Sequence, residues 1–210
     1  MGGVAAAIIA GGPARRLGGA VKPLIEIGGR AVADRQLAVL RPIFSRVFAV
    51  ANDPAPWTAR GVEVVADGVA GAGPLAGLAA ALAAAGEAGT GEAGTDEATS
   101  IVCLAGDLPF LSPALLLALR DRAPNADALA PRPGGRAEPL CARYAVGLRA
   151  EVDARLAAGE LALHALLAGI TTIWLDDAEL GALDPEGLSF VNINTPDDLR
   201  RAEEMARRAP

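Results

Sequence analysis

The run Ile8-Ile9-Ala10-Gly11-Gly12-Pro13-Ala14-Arg15-Arg16-Leu17-Gly18-Gly19-Ala20-Val21-Lys22 puts a glycine pair and three cations in one loop, directly after an apolar segment. Glycine lets the backbone turn sharply and presents bare amides to an anion, while Arg15, Arg16 and Lys22 add positive charge. This is the composition of a phosphate-binding loop. No GxGxxG fingerprint opens a helix there, and no Gly-Lys-Ser/Thr follows, so it is neither of the two commonest loops of that kind. The competing reading is a plain connection between a strand and a helix, with solvated arginines.

Other candidates lie where apolar runs stop. Asp107 ends Ile101-Val102-Cys103-Leu104-Ala105-Gly106, at the carboxyl edge where open α/β sheets bind ligands. A single carboxylate there can anchor Mg²⁺, which keeps several waters and takes further ligands from substrate phosphates; it can equally cap the turn before Pro109. Asp67 follows Val62 to Ala66 in the same way, or is an ordinary Asp-Gly turn residue with Gly68. Gly73-Pro74-Leu75-Ala76-Gly77 opens a helix. Gly77 either admits a base or ribose to the backbone or lets the helix pack closely. Asn192 and Asn194 alternate onto one side of an extended segment, where two amides can serve one pocket; Asn194 can instead fix the turn into the next helix.

The remaining residues exclude more than they suggest. His164 is the only histidine and sits in a Leu- and Ala-rich helix, so it reads as a packed or surface residue. Histidine-based metal binding has no partner. Trp57 and Trp174 stand without adjoining aromatics, and aromatics are 3% of the chain, which disfavours a stacking platform for nucleic acid. A formal charge of -6 lacks the positive field of non-specific nucleic-acid binding. The longest apolar stretches fall well below the roughly 20 residues of a membrane span. Two separated cysteines make no disulfide framework, so the cytoplasm is the expected compartment.

These side chains need elements to hold them. Short apolar runs alternate with longer amphipathic ones over the 210 residues, the mark of an α/β sheet with crossover helices. Strands are expected at Val4 to Ala10, Val47 to Ala51, Val62 to Ala66, Ile101 to Ala105, Asp127 to Pro131, Leu140 to Tyr144 and Thr172 to Leu175. Most are apolar throughout, as strands covered on both faces should be. Helices are expected at Ala31 to Ile43, Leu75 to Ala85, Pro113 to Arg122, Gly147 to Ala158, Leu161 to Leu167 and Pro196 to Arg208. Thr195-Pro196-Asp197-Asp198 starts the last one with an approximate capping box. The tandem Gly86-Glu87-Ala88-Gly89-Thr90, Gly91-Glu92-Ala93-Gly94-Thr95 predicts a mobile surface loop over about 86–99 within a single domain of residues 1–210.

Ile9-Ala10-Gly11-Gly12, three residues, Arg16-Leu17-Gly18-Gly19 and then Lys22 resemble the signature of nucleotidyltransferases with a Rossmann-like domain. With Asn52, Asp67, Gly73-Pro74-Leu75-Ala76-Gly77, Asp107-Leu108-Pro109-Phe110 and Asn192-Ile193-Asn194-Thr195-Pro196 in order, the chain is similar to the molybdenum cofactor guanylyltransferase (MobA) family along nearly its whole length. The resemblance implies a mostly parallel sheet with helices on both faces. It implies transfer of GMP from Mg-GTP to the terminal phosphate of molybdenum-loaded molybdopterin, with release of pyrophosphate. It also implies nucleotide contacts from the backbone of Ile9, Ala10, Gly11 and Gly12 and from Lys22, Asn52, Asp67, Gly77 and Asp107, Mg²⁺ on Asp107, and acceptor contacts from Asn192, Asn194 and Glu138. On that footing Lys22 serves the α-phosphate, and Arg16 with the Gly11-Gly12 amides serves the leaving pyrophosphate. Proteins that carry molybdopterin or mature molybdoenzymes become expected partners. The chain departs from the family's pattern at Val21, where an acidic residue is common, and at Gly159-Glu160-Leu161, which lacks a basic residue near the acceptor. A related cytidylyl or other nucleotidyltransferase with a different phosphorylated acceptor, and a non-catalytic nucleotide sensor, are the alternatives.

Overall fold

The computed structural model describes residues 3–10, 22–67, 73–87 and 98–208. A seven-stranded sheet has the order β5-β4-β1-β6-β8-β7-β9. Its strands are β1 (Gly3–Ile9), β4 (Val47–Val50), β5 (Glu63–Val65), β6 (Ala98–Ala105), β7 (Ala128–Pro131), β8 (Cys141–Ala145) and β9 (Thr172–Leu175). β1 lies parallel between β4 and β6, and β5 continues parallel beyond β4. β8 alone runs the other way, antiparallel to both β6 and β7, and β9 is parallel to β7. A separate two-stranded hairpin, β2 (Glu26–Ile27) with β3 (Arg30–Ala31), turns through Gly28 and Gly29 at φ 58° and 71°, the left-handed region that suits glycine.

The apolar strands are explained by burial on both faces. Ala5, Ala7 and Ile9 pack on one side with α3 (Gly73–Gly86), α5 (Arg149–Ala157) and α6 (Leu163–Gly169). Ala6 and Ile8 pack on the other with α1 (Val32–Leu40), α4 (Pro113–Asp121), α7 (Asp177–Leu183) and Trp57 of the short α2 (Ala55–Thr58). Alternate residues of one strand thus feed two cores. A third, smaller core joins Ile27 and Val32 to Ile193 and to Ala202 of α8 (Pro196–Arg208).

Every expected strand and helix is present, with shifted ends. β6 starts at Ala98 rather than Ile101. Ala31 belongs to the hairpin rather than to α1, a 3-10 turn at Val146–Leu148 precedes α5, and α6 begins at Leu163 rather than Leu161. Of the expected 86–99 loop, Gly86 closes α3 and residues 98–99 belong to β6, because Ala98 pairs with Gly3; 88–97 lie outside the described residues. The hairpin, α2 and α7 were not expected.

Candidate active site

The parallel order sets Asp67, Asn52, Ala10 and Asp107 along one edge, each just past the carboxyl end of its strand. The edge is stitched together past the last strand residues. Ala10 N–H donates to Val50 C=O at 2.9 Å, Ala51 N–H to Val65 C=O at 3.0 Å and Gly106 N–H to Ile9 C=O at 3.0 Å. The Ala10 amide hydrogen is thereby taken up by the sheet, and the Ile9 carbonyl already accepts a bond. Gly106 allows this closeness, since a Cβ there would lie 3.3 Å from Ala10 Cα, Ile9 O and Pro23 Cγ. Asn52 is exposed and Asp67 half-buried.

Three sequence-distant residues meet at the Asp107 corner. Lys22 Nζ donates to Asp107 Oδ2 at 2.7 Å and to Asn194 Oδ1 at 2.5 Å. Lys22 opens a 3-10 turn, Lys22–Leu24, whose Pro23 is buried against Gly106. Asp107 is held from below by α1: the buried Gln36 donates from Nε2 to Ala105 C=O at 2.8 Å and to Leu108 C=O at 3.1 Å, straddling the aspartate. Asn194 is brought in because Ile193 N–H donates to Asp107 C=O at 3.2 Å while the Ile193 side chain is fully buried. Beyond it the α8 cap locks the segment. Asn194 and Thr195 N–H donate to the Asp198 carboxylate at 3.1 and 2.9 Å, and Asp198 N–H donates to Thr195 Oγ1 at 3.2 Å. The Thr195 side chain foremost, with the Asn194 and Thr195 amides, holds the Asp198 carboxyl below its usual range. Asn194 therefore fixes the turn with its backbone and faces Lys22 with its side chain.

Asp107 opens onto a cleft of about 390 Å³, lined also by Asn192, Asn194, Arg136, Glu138 and His164. The reversed β8 explains Glu138: Ala105 N–H donates to Leu140 C=O at 2.8 Å, so the residues leading into β8 arrive beside the end of β6. Burial pushes the Glu138 carboxyl up, against the opposing pull of Arg136 and His164. Arg136 escaped the sequence reading. Of the two readings of His164, packed or surface, the structure gives the surface one: it is exposed, in the first turn of α6, on the cleft wall, and only the fold shows where that turn points. A larger cleft of about 490 Å³ between β5, α3 and α5 is walled by alanines and surface ion pairs and holds none of the candidate residues.

Gly77 is buried in α3, and a Cβ on it would stand 2.6 Å from Ile9 Cγ2. Its closest approach is thus to the first strand, the packing alternative. Gly11, Gly12, Arg15, Arg16 and Val21 lie outside the described residues. No cluster of three His, Cys, Asp or Glu side chains suited to a metal occurs among the described residues. Asp107 Oδ1 accepts no hydrogen bond among them, which leaves one carboxylate oxygen for a cation that draws its other ligands from water and phosphate. No helix of the described residues is long and apolar enough to cross a membrane.

Comparison with known proteins adds to this geometry. The family described as MobA-like NTP transferase domain matches residues 6–173. A probable molybdenum cofactor guanylyltransferase of Pelotomaculum thermopropionicum is 31% identical over 95% of this chain and 91% of its own. A molybdenum cofactor guanylyltransferase of Cereibacter sphaeroides is 33% identical, covering 96% of each chain. The crystal structure of molybdopterin-guanine dinucleotide biosynthesis protein A from Archaeoglobus fulgidus superimposes with a TM-score of 0.81 at 30% identity, over 98% of this chain and 100% of that one.

Proposed function

The chain belongs to the MobA-like NTP transferase family, and from that premise and the cleft geometry we propose that it is a single-domain guanylyltransferase of the cytoplasm. It moves GMP from Mg-GTP to the terminal phosphate of molybdenum-loaded molybdopterin, delivered by a protein that carries it, and releases pyrophosphate. The observation that carries this reading is Lys22 Nζ seated between Asp107 and Asn194 at the mouth of a cleft shared with Asn192 and Glu138. The nucleoside lies over the strand ends bearing Asn52 and Asp67, and the acceptor enters the cleft. An ammonium has three N–H donors, and two of them are engaged among the described residues, which leaves the third for an α-phosphate oxygen. When bound on Asp107, Mg²⁺ supplies neutralisation of the phosphate charge. Arg16 and the Gly11-Gly12 amides are assigned to the leaving pyrophosphate. The acceptor, a phosphate monoester with a second pKa of about 6, is already mostly dianionic at neutral pH and needs no strong general base. Alignment and charge stabilisation therefore supply the catalysis.

The test is pyrophosphate release on incubation with Mg²⁺, molybdenum-loaded molybdopterin and each nucleoside triphosphate in turn. Release with GTP alone is expected. Release with CTP instead would assign the chain to a cytidylyl reaction, and tight GTP binding without release would make it a sensor. Asp107→Ala should abolish release while the far-UV circular dichroism stays that of the wild type.

A further inference from the structure

α1 turns an apolar stripe toward the sheet, with Val32, Ala33, Leu37 and Leu40 all buried. Gln36 sits inside that stripe, one turn from Val32, Ala33 and Leu40, and is 1% exposed. The helical pattern asks for an apolar residue there. A primary amide in that place gives up its hydration, and the exchange is incomplete, because Gln36 Oε1 is buried and accepts no hydrogen bond among the described residues. An orphaned buried acceptor is destabilising, whereas an apolar side chain of similar shape carries no such cost. The reason for a glutamine must lie in what its two N–H groups hold.

They hold the turn that carries Asp107. Nε2 donates to Ala105 C=O at 2.8 Å and to Leu108 C=O at 3.1 Å, so one amide spans the backbone on both sides of the aspartate. Between those anchor points lies Gly106, which the sheet edge requires, since a Cβ there would stand 3.3 Å from Ala10 Cα and Ile9 O. The same missing Cβ opens a wide range of φ and ψ just before Asp107. Pro109, next after Leu108, has no N–H with which to tie the turn. Ile193 N–H bonds Asp107 C=O, which fixes the peptide after Asp107 alone; Gln36 ties the peptide before Gly106 and the one after Leu108. The Arg35 guanidinium lies 5.7 Å from the centre of the Phe110 ring, so consecutive residues of one helix grip the whole 105–110 turn.

Resting on the guanylyltransferase reading, with Mg²⁺ on Asp107, we infer that Gln36 is a positioning residue for that metal. Buried as it is, it reaches neither nucleotide nor acceptor. It acts through the backbone, closing the glycine hinge so that Asp107 Oδ2 stays on Lys22 at 2.7 Å and Oδ1 is left in place for the cation. Mg²⁺ demands near-ideal octahedral geometry, so a small swing of its protein carboxylate weakens it.

The experiment is a titration of the full chain with ribose-labelled fluorescent GTP, without acceptor so that no turnover occurs, once in Mg²⁺ and once in EDTA. The wild type should bind roughly tenfold or more tighter with Mg²⁺. Gln36→Met, which keeps the shape and loses both donors, should cut that gain by about fivefold or more, with affinity in EDTA within about twofold of wild type. Asp107→Ala should lose the gain, and adding Gln36→Met to it should change nothing further. An undiminished gain in Gln36→Met, an equal loss with and without metal, or a further loss in the double variant overturns the inference. Gln36→Leu takes the place of a methionine variant that does not fold. Failure of both to give the wild-type far-UV circular dichroism makes Gln36 a residue of the core alone and overturns the inference too. A wild type that gains nothing from Mg²⁺ does the same, whereas a gain without pyrophosphate release in the turnover assay sinks the parent reading alone.

Discussion

At the scale of single residues, the site is a lysine shared between a carboxylate and an amide. Asn194 contributes one charge-assisted bond to Lys22, a class worth about 1.5 to 3 kcal/mol when well shielded. With Lys22 and Asp107 at 24% and 14% side-chain exposure, the lower end of that range applies. Asn194→Ala should therefore lower kcat about tenfold with less effect on the KM for GTP; kcat within twofold of wild type would remove Asn194 from lysine placement. Gly77 makes the opposite kind of prediction. Alanine in a helix interior gains about 1 kcal/mol over glycine, but the added methyl meets the β-branch of Ile9 at 2.6 Å, an atom that no rotamer change of a long side chain can carry away. Overpacking of that sort costs about 1 to 3 kcal/mol. Gly77→Ala should thus be net destabilising in urea unfolding, and an unchanged or raised midpoint would show that α3 can slide.

At the scale of elements, the parts of the site that could be read in advance are those whose signals are local. β1, β4 and the Ile101 to Ala105 part of β6 are apolar on both faces, and Asn52, Asp67 and Asp107, the polar residues beyond β4, β5 and β6, name their own places at the edge. The Thr195 cap was legible for the same reason, as a side chain answering amides three residues away. α7 carries an equally local signal, the capping box of Asp176 and Glu179, but its seven residues show little apolar pattern to mark them as a helix. Two-residue strands such as β2 and β3 are too short to show a period. The direction of β8 is a matter of tertiary pairing, and with it goes the arrival of Arg136 and Glu138 at the cleft. α4 offers a test of local geometry. It ends at Asp121, and after the extended cap residue Arg122 comes Ala123 at φ 47°, whose carbonyl accepts from the buried Arg143 guanidinium. The left-handed conformation costs alanine about 1 to 2 kcal/mol, whereas glycine there would give back roughly 0.4 to 1 kcal/mol through the unfolded chain. Ala123→Gly should stabilise by about 0.5 to 1 kcal/mol, read as a higher denaturation midpoint; a lower one would mean that Ala123 is unstrained.

At the scale of the whole molecule, stability against pH divides the fold from its cleft. Asp34 is held low first by its bond to Arg60, Asp121 by its bond to Arg120 and Asp198 by its bond to Thr195. Groups with depressed folded values contribute stability that is present above the unfolded carboxylate range, about pH 4, and is lost as pH falls through the folded values. The structural carboxylates thus favour the fold at neutral pH. Glu138 has the opposite sign. Burial raises its folded value, so its contribution is fully present below the ordinary glutamate value of about 4.3 and is lost as pH rises through the raised one. Ionising this cleft carboxylate therefore works against the preference of the fold around it, a conflict of the kind ligand sites commonly carry. Glu138→Gln should accordingly melt at a higher temperature than wild type at pH 7, with the gap closing as both are taken below about pH 4. A gap of the same size at both pH values would trace the change to packing, and a lower melting temperature at pH 7 would mean that Arg136 and His164 already compensate the charge.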